Sequence, residues 1–203
     1  MQPRDMQSLL AKEIRQLNRK FLTLVDGRSD PGNNAGERPG LPRRLVARLT
    51  CLGTGETDRM VNCSYALFEI TIPMDEQRQS MLAVADSATD TATCPGSLVM
   101  FKLLALMCQR ALLRRDEAAA QLTFGLTSAE VRELDRMSLD GVVRLAATAL
   151  LRFRFAEHPS FWTDLIHLAA HGTDRQLAAV HLAGQQWIAA RIAGDVHWRL
   201  GHN

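Results

Sequence analysis

Between about Leu103 and Phe155 the chain carries several short helical patterns in direct succession. The breaks between these patterns hold residues that end one helix and begin the next. Gly125 can take the left-handed backbone conformation that ends a helix, and Thr127 or Ser128 can accept a hydrogen bond from the free amides of the following first turn. Helices this short are not stable alone in water. The sequence therefore predicts a mainly α-helical domain whose elements pack on one another.

The residues of this segment also occur in a particular order. They comprise the run Asp116-x-Ala118-x-Ala120-x-Leu122-x-Phe124-Gly125-Leu126, the run Leu139-x-x-x-Val143-x-Leu145-Ala146, the triplet Phe153-Arg154-Phe155 and, more weakly, Leu177-x-x-Val180-His181. This order and its near-constant spacing resemble the FlhD family of flagellar transcriptional regulators. The resemblance covers roughly the C-terminal half of the chain. We therefore predict an N-terminal extension at residues 1–97 and an FlhD-like helical domain at residues 98–203.

The resemblance implies a fold, a set of partners and an activity. It implies a helical dimerisation domain with a helix-turn-helix-like C-terminal arm, and a homodimer that joins an FlhC-like partner subunit. Such an assembly would bind double-stranded promoter DNA, help to recruit RNA polymerase and activate flagellar or conjugative-element genes. The zinc site of that family lies in the partner, so we expect neither a metal nor another cofactor in this chain. The residues expected in the dimer interface are apolar: Leu103, Leu104, Met107, Leu112, Val143 and Leu150.

The same resemblance suggests which residues face DNA or the partner subunit. The expected positions in the C-terminal arm are Thr173, Arg175 and His181, and the candidates for phosphate contacts are Arg144, Arg152 and Arg154. The arm departs from the family, which often shows Ser-Arg-Val where this chain has Gly172-Thr173-Asp174. Clustered arginines can neutralise phosphates. A solvated helix face is an equally good interpretation of the three central arginines.

The predicted N-terminal extension has its own patterns. Gln7–Val25 carries apolar side chains at steps of three and four with Lys and Arg between them, which predicts an amphipathic helix. This helix can dock on its own domain or on a partner protomer, or it can lie on an anionic membrane surface or on nucleic acid. Asp26–Pro42 is rich in Gly and Pro and predicts a flexible linker. Arg44–Leu52 alternates apolar and polar residues and Val61–Ile72 is rich in strand-forming residues, so we expect a small antiparallel β-hairpin.

The chain lacks the sequence patterns of several other classes of protein. It has no run of about 18 apolar residues and no secretory signal, so we expect a cytoplasmic protein. Its four cysteines include no Cys-x-x-Cys pair, and His167 and His171 lie four apart without the Glu of a zinc hydrolase. We find no phosphate-binding loop, Rossmann fingerprint or nucleophile elbow in the sequence. We therefore expect neither a catalytic site nor a metal site.

A hypothesis from another functional class stays open. The same helical fold could serve a non-DNA-binding scaffold or anti-factor that sequesters a regulator, with the first hundred residues as its capturing module. Residues 1–50 hold ten Lys or Arg against five Asp or Glu, which fits either a nucleic-acid contact or a solvated surface. DNA binding by the chain together with an FlhC-like subunit would separate the two hypotheses.

Overall fold

The computed structural model describes residues 3–25, 40–72 and 96–200, and within these ranges the chain is mainly helical. These ranges contain nine helices and one two-stranded sheet. The prediction of a mainly α-helical fold is therefore confirmed at this level. Residues 26–39, which make up most of the predicted linker, lie outside the described residues.

The elements follow one another in the order α1 (Pro3–Val25), α2 (Arg43–Thr50), α3 (Thr54–Met60), β1 (Phe68–Ile70), α4 (Ser97–Leu113), α5 (Glu117–Phe124), α6 (Ser128–Arg136), α7 (Leu139–Thr148), β2 (Leu151–Phe153), α8 (Pro159–His171) and α9 (Asp174–Leu200). They group into two compact units. Of the described residues, the first unit combines 3–25 and 40–69 with 152–190, and the second combines 70–72 and 96–151 with 191–200. The predicted domains at 1–97 and 98–203 rest on sequence patterns and stay a prediction.

The second unit is built on α4, which packs against α5, α6 and α7. Phe101, Ala105 and Leu106 of α4 are buried in its core. Lys102 is buried with them, and its Nζ donates to the carbonyl oxygen of Ala149 at 2.9 Å. A cation at this position satisfies a carbonyl at the C-terminal end of α7, where the partial charge of a helix is negative.

The breaks between the helices of the second unit are those that the sequence predicts. α5 ends at Gly125, whose φ of 60° lies in the left-handed region that favours glycine. Thr127 begins α6: its hydroxyl accepts from the amide of Glu130 at 3.3 Å, and the Glu130 carboxylate accepts from the amide of Thr127 at 2.8 Å. This reciprocal pair is a capping box. At the start of α7, the Ser138 hydroxyl accepts a hydrogen bond from the amide of Gly141 at 3.1 Å and so caps the helix.

The predicted β-hairpin is wrong. Residues 43–50 form α2 and residues 54–60 form α3, so Arg44–Leu52 contains no strand. The nine-residue alternation that suggested a strand also contains the four-residue spacing of Leu45 and Leu49, which continues back to Leu41. Leu41 and Leu45 are buried and Leu49 is half-buried. A run this short does not distinguish a period of two from a period of 3.6, and here the helical period prevails.

The strand-forming residues of Val61–Ile72 pair with a distant segment instead of a neighbouring strand. β1 and β2 form the two-stranded sheet. The amide of Thr71 donates to the carbonyl of Leu150 at 3.0 Å, and the amide of Arg154 donates to the carbonyl of Leu67 at 2.9 Å. The two residue numbers of each pair have the same sum, which is the register of an antiparallel pair.

α1 places its apolar face in the core of the first unit. Ile14, Leu17 and Phe21 are buried. The ring centroid of Phe21 lies 4.8 Å from that of Phe153 and 5.4 Å from that of Phe68, and both pairs are tilted or edge-to-face. Of the roles open to this amphipathic helix, docking on its own chain is the one that the contacts show.

A buried amide side chain joins α1 to the segment before β1. Asn18 is completely buried, its Nδ2 donates to the carbonyl of Tyr65 at 2.9 Å, and its Oδ1 accepts from the amide of Leu67 at 2.8 Å. These bonds satisfy backbone groups that would otherwise be buried without partners, which would cost free energy. Asn18 therefore fixes the path of the chain into β1.

Candidate nucleic-acid and subunit interfaces

α8 and α9 form the helix pair at the position of the predicted C-terminal arm. α8 ends at His171, and Gly172 continues as extended backbone. Thr173 then caps α9: its hydroxyl accepts from the amide of Gln176 at 3.3 Å, and the Gln176 side chain accepts from the amide of Thr173 at 2.9 Å. Thr173 is exposed, but its hydroxyl already has a structural task in starting α9.

Arg59 of α3 holds the turn between α8 and α9. Its Nη1 donates to the carbonyl of Ala169 at 2.6 Å and its Nη2 donates to the carbonyl of Gly172 at 2.6 Å. Its Nε donates to a carboxylate oxygen of Asp174 at 3.2 Å. The C-terminal carbonyls of a helix need partners from outside the helix, and Arg59 supplies them. Sequence analysis missed this residue, because no local pattern links it to carbonyls 110 and 113 residues further along.

His181 directs its ring towards the interior of the first unit. Both ring nitrogens are buried. The ring centroid lies 6.3 Å from that of Tyr65. Burial lowers the pKa of His181, with the backbone of Arg59 acting in the opposite direction, so the imidazole is neutral at pH 7. In this position His181 offers no positive charge to a phosphate.

A pocket of about 340 Å³ lies beside this ring in the first unit. Arg59, Cys63, Asp174, His181 and Gln185 are among the residues that line it. Arg59 directs its donors to the turn, and burial raises the pKa of Cys63 to about 12. The thiol is therefore protonated at neutral pH and is not an activated nucleophile.

The expectation that Arg154 contacts phosphate is corrected by its position. Arg154 is only 2% exposed. Its Nε donates to the carbonyl of Ala66 at 2.7 Å and its Nη2 donates to the carbonyl of Phe68 at 2.9 Å. Its own carbonyl accepts from the indole nitrogen of Trp162 at 2.7 Å. Arg154 thus has a structural role: it donates hydrogen bonds to backbone carbonyls in the interior of the first unit.

The other three arginine candidates lie at the surface. Arg144 belongs to α7 in the second unit, whereas Arg152 and Arg175 belong to the first unit. All three are exposed. Across residues 3–25, 40–72 and 96–200, their guanidinium groups have no hydrogen bond or ion pair. They stay candidates for phosphate contacts.

Two packed helices of the second unit, α4 and α7, expose large apolar side chains. We name this set the apolar stripe, and it consists of Met100, Leu104 and Met107 on α4 and of Leu139 and Val143 on α7, which are 40–58% exposed. Three of the residues expected in the dimer interface belong to it, while the other three, Leu103, Leu112 and Leu150, are half-buried. Sequence analysis missed Met100 and Leu139, although they extend the steps of three and four along α4 and α7.

Neither a metal centre nor a membrane span is evident in the described residues. Among them, no group of three or more His, Cys, Asp or Glu side chains is placed to hold a metal ion. The rings of His167 and His171 lie 5.3 Å apart on α8, but they form only a pair. None of the described helices is long and apolar enough to cross a bilayer.

An exposed apolar stripe on a mainly helical chain is typical of a protein that works by assembling with other chains. Comparison with protein families finds a match within the chain. Residues 97–187, a little under half of the chain, match the family model described as Flagellar transcriptional activator (FlhD), and we call them the FlhD-family segment. The prediction of an FlhD-like C-terminal half is confirmed. No curated protein and no solved structure matches the chain.

Proposed function

We propose that the chain is an FlhD-like subunit of a transcriptional activator, which forms a homodimer, joins an FlhC-like subunit and binds promoter DNA in the cytoplasm. The observation that carries this proposal is the family match across residues 97–187. Flagellar or conjugative-element genes are the proposed targets, and RNA polymerase is recruited by the assembled activator.

The apolar stripe supports the dimerisation step. In an isolated chain its five large side chains would stay in contact with water, at a cost of about 25 cal/mol per Å² of apolar surface. A twofold dimer places the same patch of both chains at one interface and removes both from water. The half-buried Leu103, Leu112 and Leu150 would line the edge of this interface.

The surface arginines support the DNA-binding step. Arg144, Arg152 and Arg175 are exposed and have no internal partners in the described part of the chain. Each one that contacts a phosphate releases counterions, so DNA binding by the complex should weaken as salt is raised. Buried Arg154 and neutral His181 are not part of this proposal.

The test is DNA binding by the full chain co-expressed with an FlhC-like subunit. We expect the two proteins to co-purify and to bind promoter DNA more tightly than a scrambled duplex of the same length. The FlhC-like subunit alone and the chain alone are the controls. If addition of the chain abolishes DNA binding by the subunit, the chain is an anti-factor. If the proteins do not associate, the proposed function is wrong.

A further inference from the structure

α2 carries a concentrated positive charge. Arg43, Arg44 and Arg48 lie within six residues, and the segment 40–55 around them contains no Asp or Glu. All three arginines are exposed. Their side chains have no hydrogen bond or ion pair with any part of the chain that the structure describes.

The three arginines occupy one face of a docked helix. At about 100° per residue they project over an arc of about 140°, and Leu45 lies outside this arc. Leu45 is buried, and α2 packs against α8. The helix rises about 1.5 Å per residue, so the three stems lie within about 7.5 Å along its axis. This distance is shorter than the Debye length of about 8 Å at physiological ionic strength, so the charges act as one cluster.

Several other arginines of the first unit have partners within it. Arg15 donates to the side chain of Asn62 at 2.9 Å, and the Nε of Arg19 donates to the carboxylate of Asp58 at 3.0 Å. Arg59 and Arg154 bind backbone carbonyls. Each of these four arginines therefore donates to an acceptor group within the first unit. The arginines of α2 have no such acceptor in the described residues, so their charge is available to an external anion.

We propose that this arginine face, Arg43, Arg44 and Arg48, binds the phosphate backbone of duplex DNA. The inference rests on the proposed function and adds a contact surface outside the FlhD-family segment. The guanidinium fork matches phosphate geometry in two parallel hydrogen bonds, and such contacts position a protein on DNA without reading its sequence. A lipid surface fits less well, because the exposed face of α2 holds only Ala47 beside the arginines and offers no large apolar side chain for insertion.

The test is the salt dependence of DNA binding by the full chain in complex with its FlhC-like subunit. The triple variant R43Q/R44Q/R48Q should lower the slope of log affinity against log salt by about 2.7 for each copy of the chain that contacts DNA, because each phosphate contact contributes about 0.9. Between 50 and 200 mM salt, the wild type should then lose about 40-fold more affinity than the variant for each such copy. The loss of affinity should be equal on promoter and non-promoter duplexes.

The matched control is R114Q/R132Q/R136Q, which removes the same charge from exposed, unpaired arginines of the second unit. We expect this control to retain the wild-type slope, and thermal unfolding of both variants should match the wild type. The inference is overturned if the α2 variant keeps the wild-type slope, if the control loses as much slope, or if the α2 variant instead loses the FlhC-like subunit. If the wild-type complex binds no DNA at all, the proposed function fails together with this inference.

Discussion

Arg152 and Arg154 are two residues apart in the chain, yet they have opposite environments. Arg152 is exposed, whereas Arg154 is buried and donates to two backbone carbonyls. The difference follows from the neighbours, because Phe153 and Phe155 on either side of Arg154 are both buried in an aromatic cluster. A buried charge is stable only when its hydrogen bonds are satisfied, and the carbonyls of Ala66 and Phe68 satisfy it.

We predict that Arg154→Met destabilises the protein by about 2–5 kcal/mol, because it leaves two interior carbonyls without donors. The variant keeps most of the apolar stem, so the loss reports mainly the hydrogen bonds. Arg152→Met is the matched control and should change the free energy of unfolding by no more than about 0.5 kcal/mol. Urea unfolding of both variants measures the difference. Equal effects of the two substitutions would contradict the buried role of Arg154.

At the scale of elements, the turn between α8 and α9 is held by a residue from α3. Arg59 satisfies the carbonyls of Ala169 and Gly172, and it also pairs with Asp174, whose side chain is 92% exposed. An ion pair with so exposed a partner contributes little, because water screens it. The carbonyl bonds should therefore account for most of the stabilisation.

We predict that Arg59→Met destabilises the first unit by about 1–3 kcal/mol, because the end of α8 loses two charge-assisted donors. Asp174→Asn should cost less than about 1 kcal/mol, since it removes only the exposed ion pair and a favourable charge in the first turn of α9. Denaturant unfolding measures both values, and hydrogen exchange of the amides in α8 and α9 locates the effect. A cost for Asp174→Asn as large as that for Arg59→Met would show that the ion pair dominates.

The sequence predicts elements whose ends are encoded locally and fails where a partner is distant. Gly125, Thr127 and Ser138 determine their helix boundaries through neighbours three or four residues away, and those boundaries are confirmed. The hairpin was wrong because β1 finds its partner in β2, which lies more than 80 residues further along. Arg59 was missed for the same reason. Burial of His181 and Arg154 likewise depends on tertiary packing, which periodicity does not reveal.

At the scale of the whole molecule, the apolar stripe and the arginine face belong to different compact units. The second unit exposes the apolar stripe and Arg144, and the first unit contains α8, the part of α9 up to Ala190 and the arginine face. Self-association through the apolar stripe and DNA contact through the arginine face are therefore expected to respond to separate substitutions. This separation allows each property to be tested without loss of the other.

We predict that the double variant L104E/V143E is monomeric, because a dimer would bury four unpaired carboxylates at the centre of its interface. Sedimentation velocity across a range of concentrations measures the change, and circular dichroism checks that the helices remain. Leu182→Glu is the control, since Leu182 is 55% exposed but lies in the first unit; it should leave the dimer intact. A wild-type chain that is monomeric at high concentration would contradict the role assigned to the apolar stripe.

The first unit is built from two distant segments of the chain, and this matters for any transfer of the α8–α9 helix pair to another protein. α8 and the start of α9 lie within the FlhD-family segment, but Phe21, Arg59 and Tyr65, which belong to the same compact unit, come from the beginning of the chain. A fragment cut at the borders of the family match would leave Phe153 without its edge-to-face neighbour Phe21 and the end of α8 without its donors. A graft of this arm into another regulator would have to bring the first seventy residues with it.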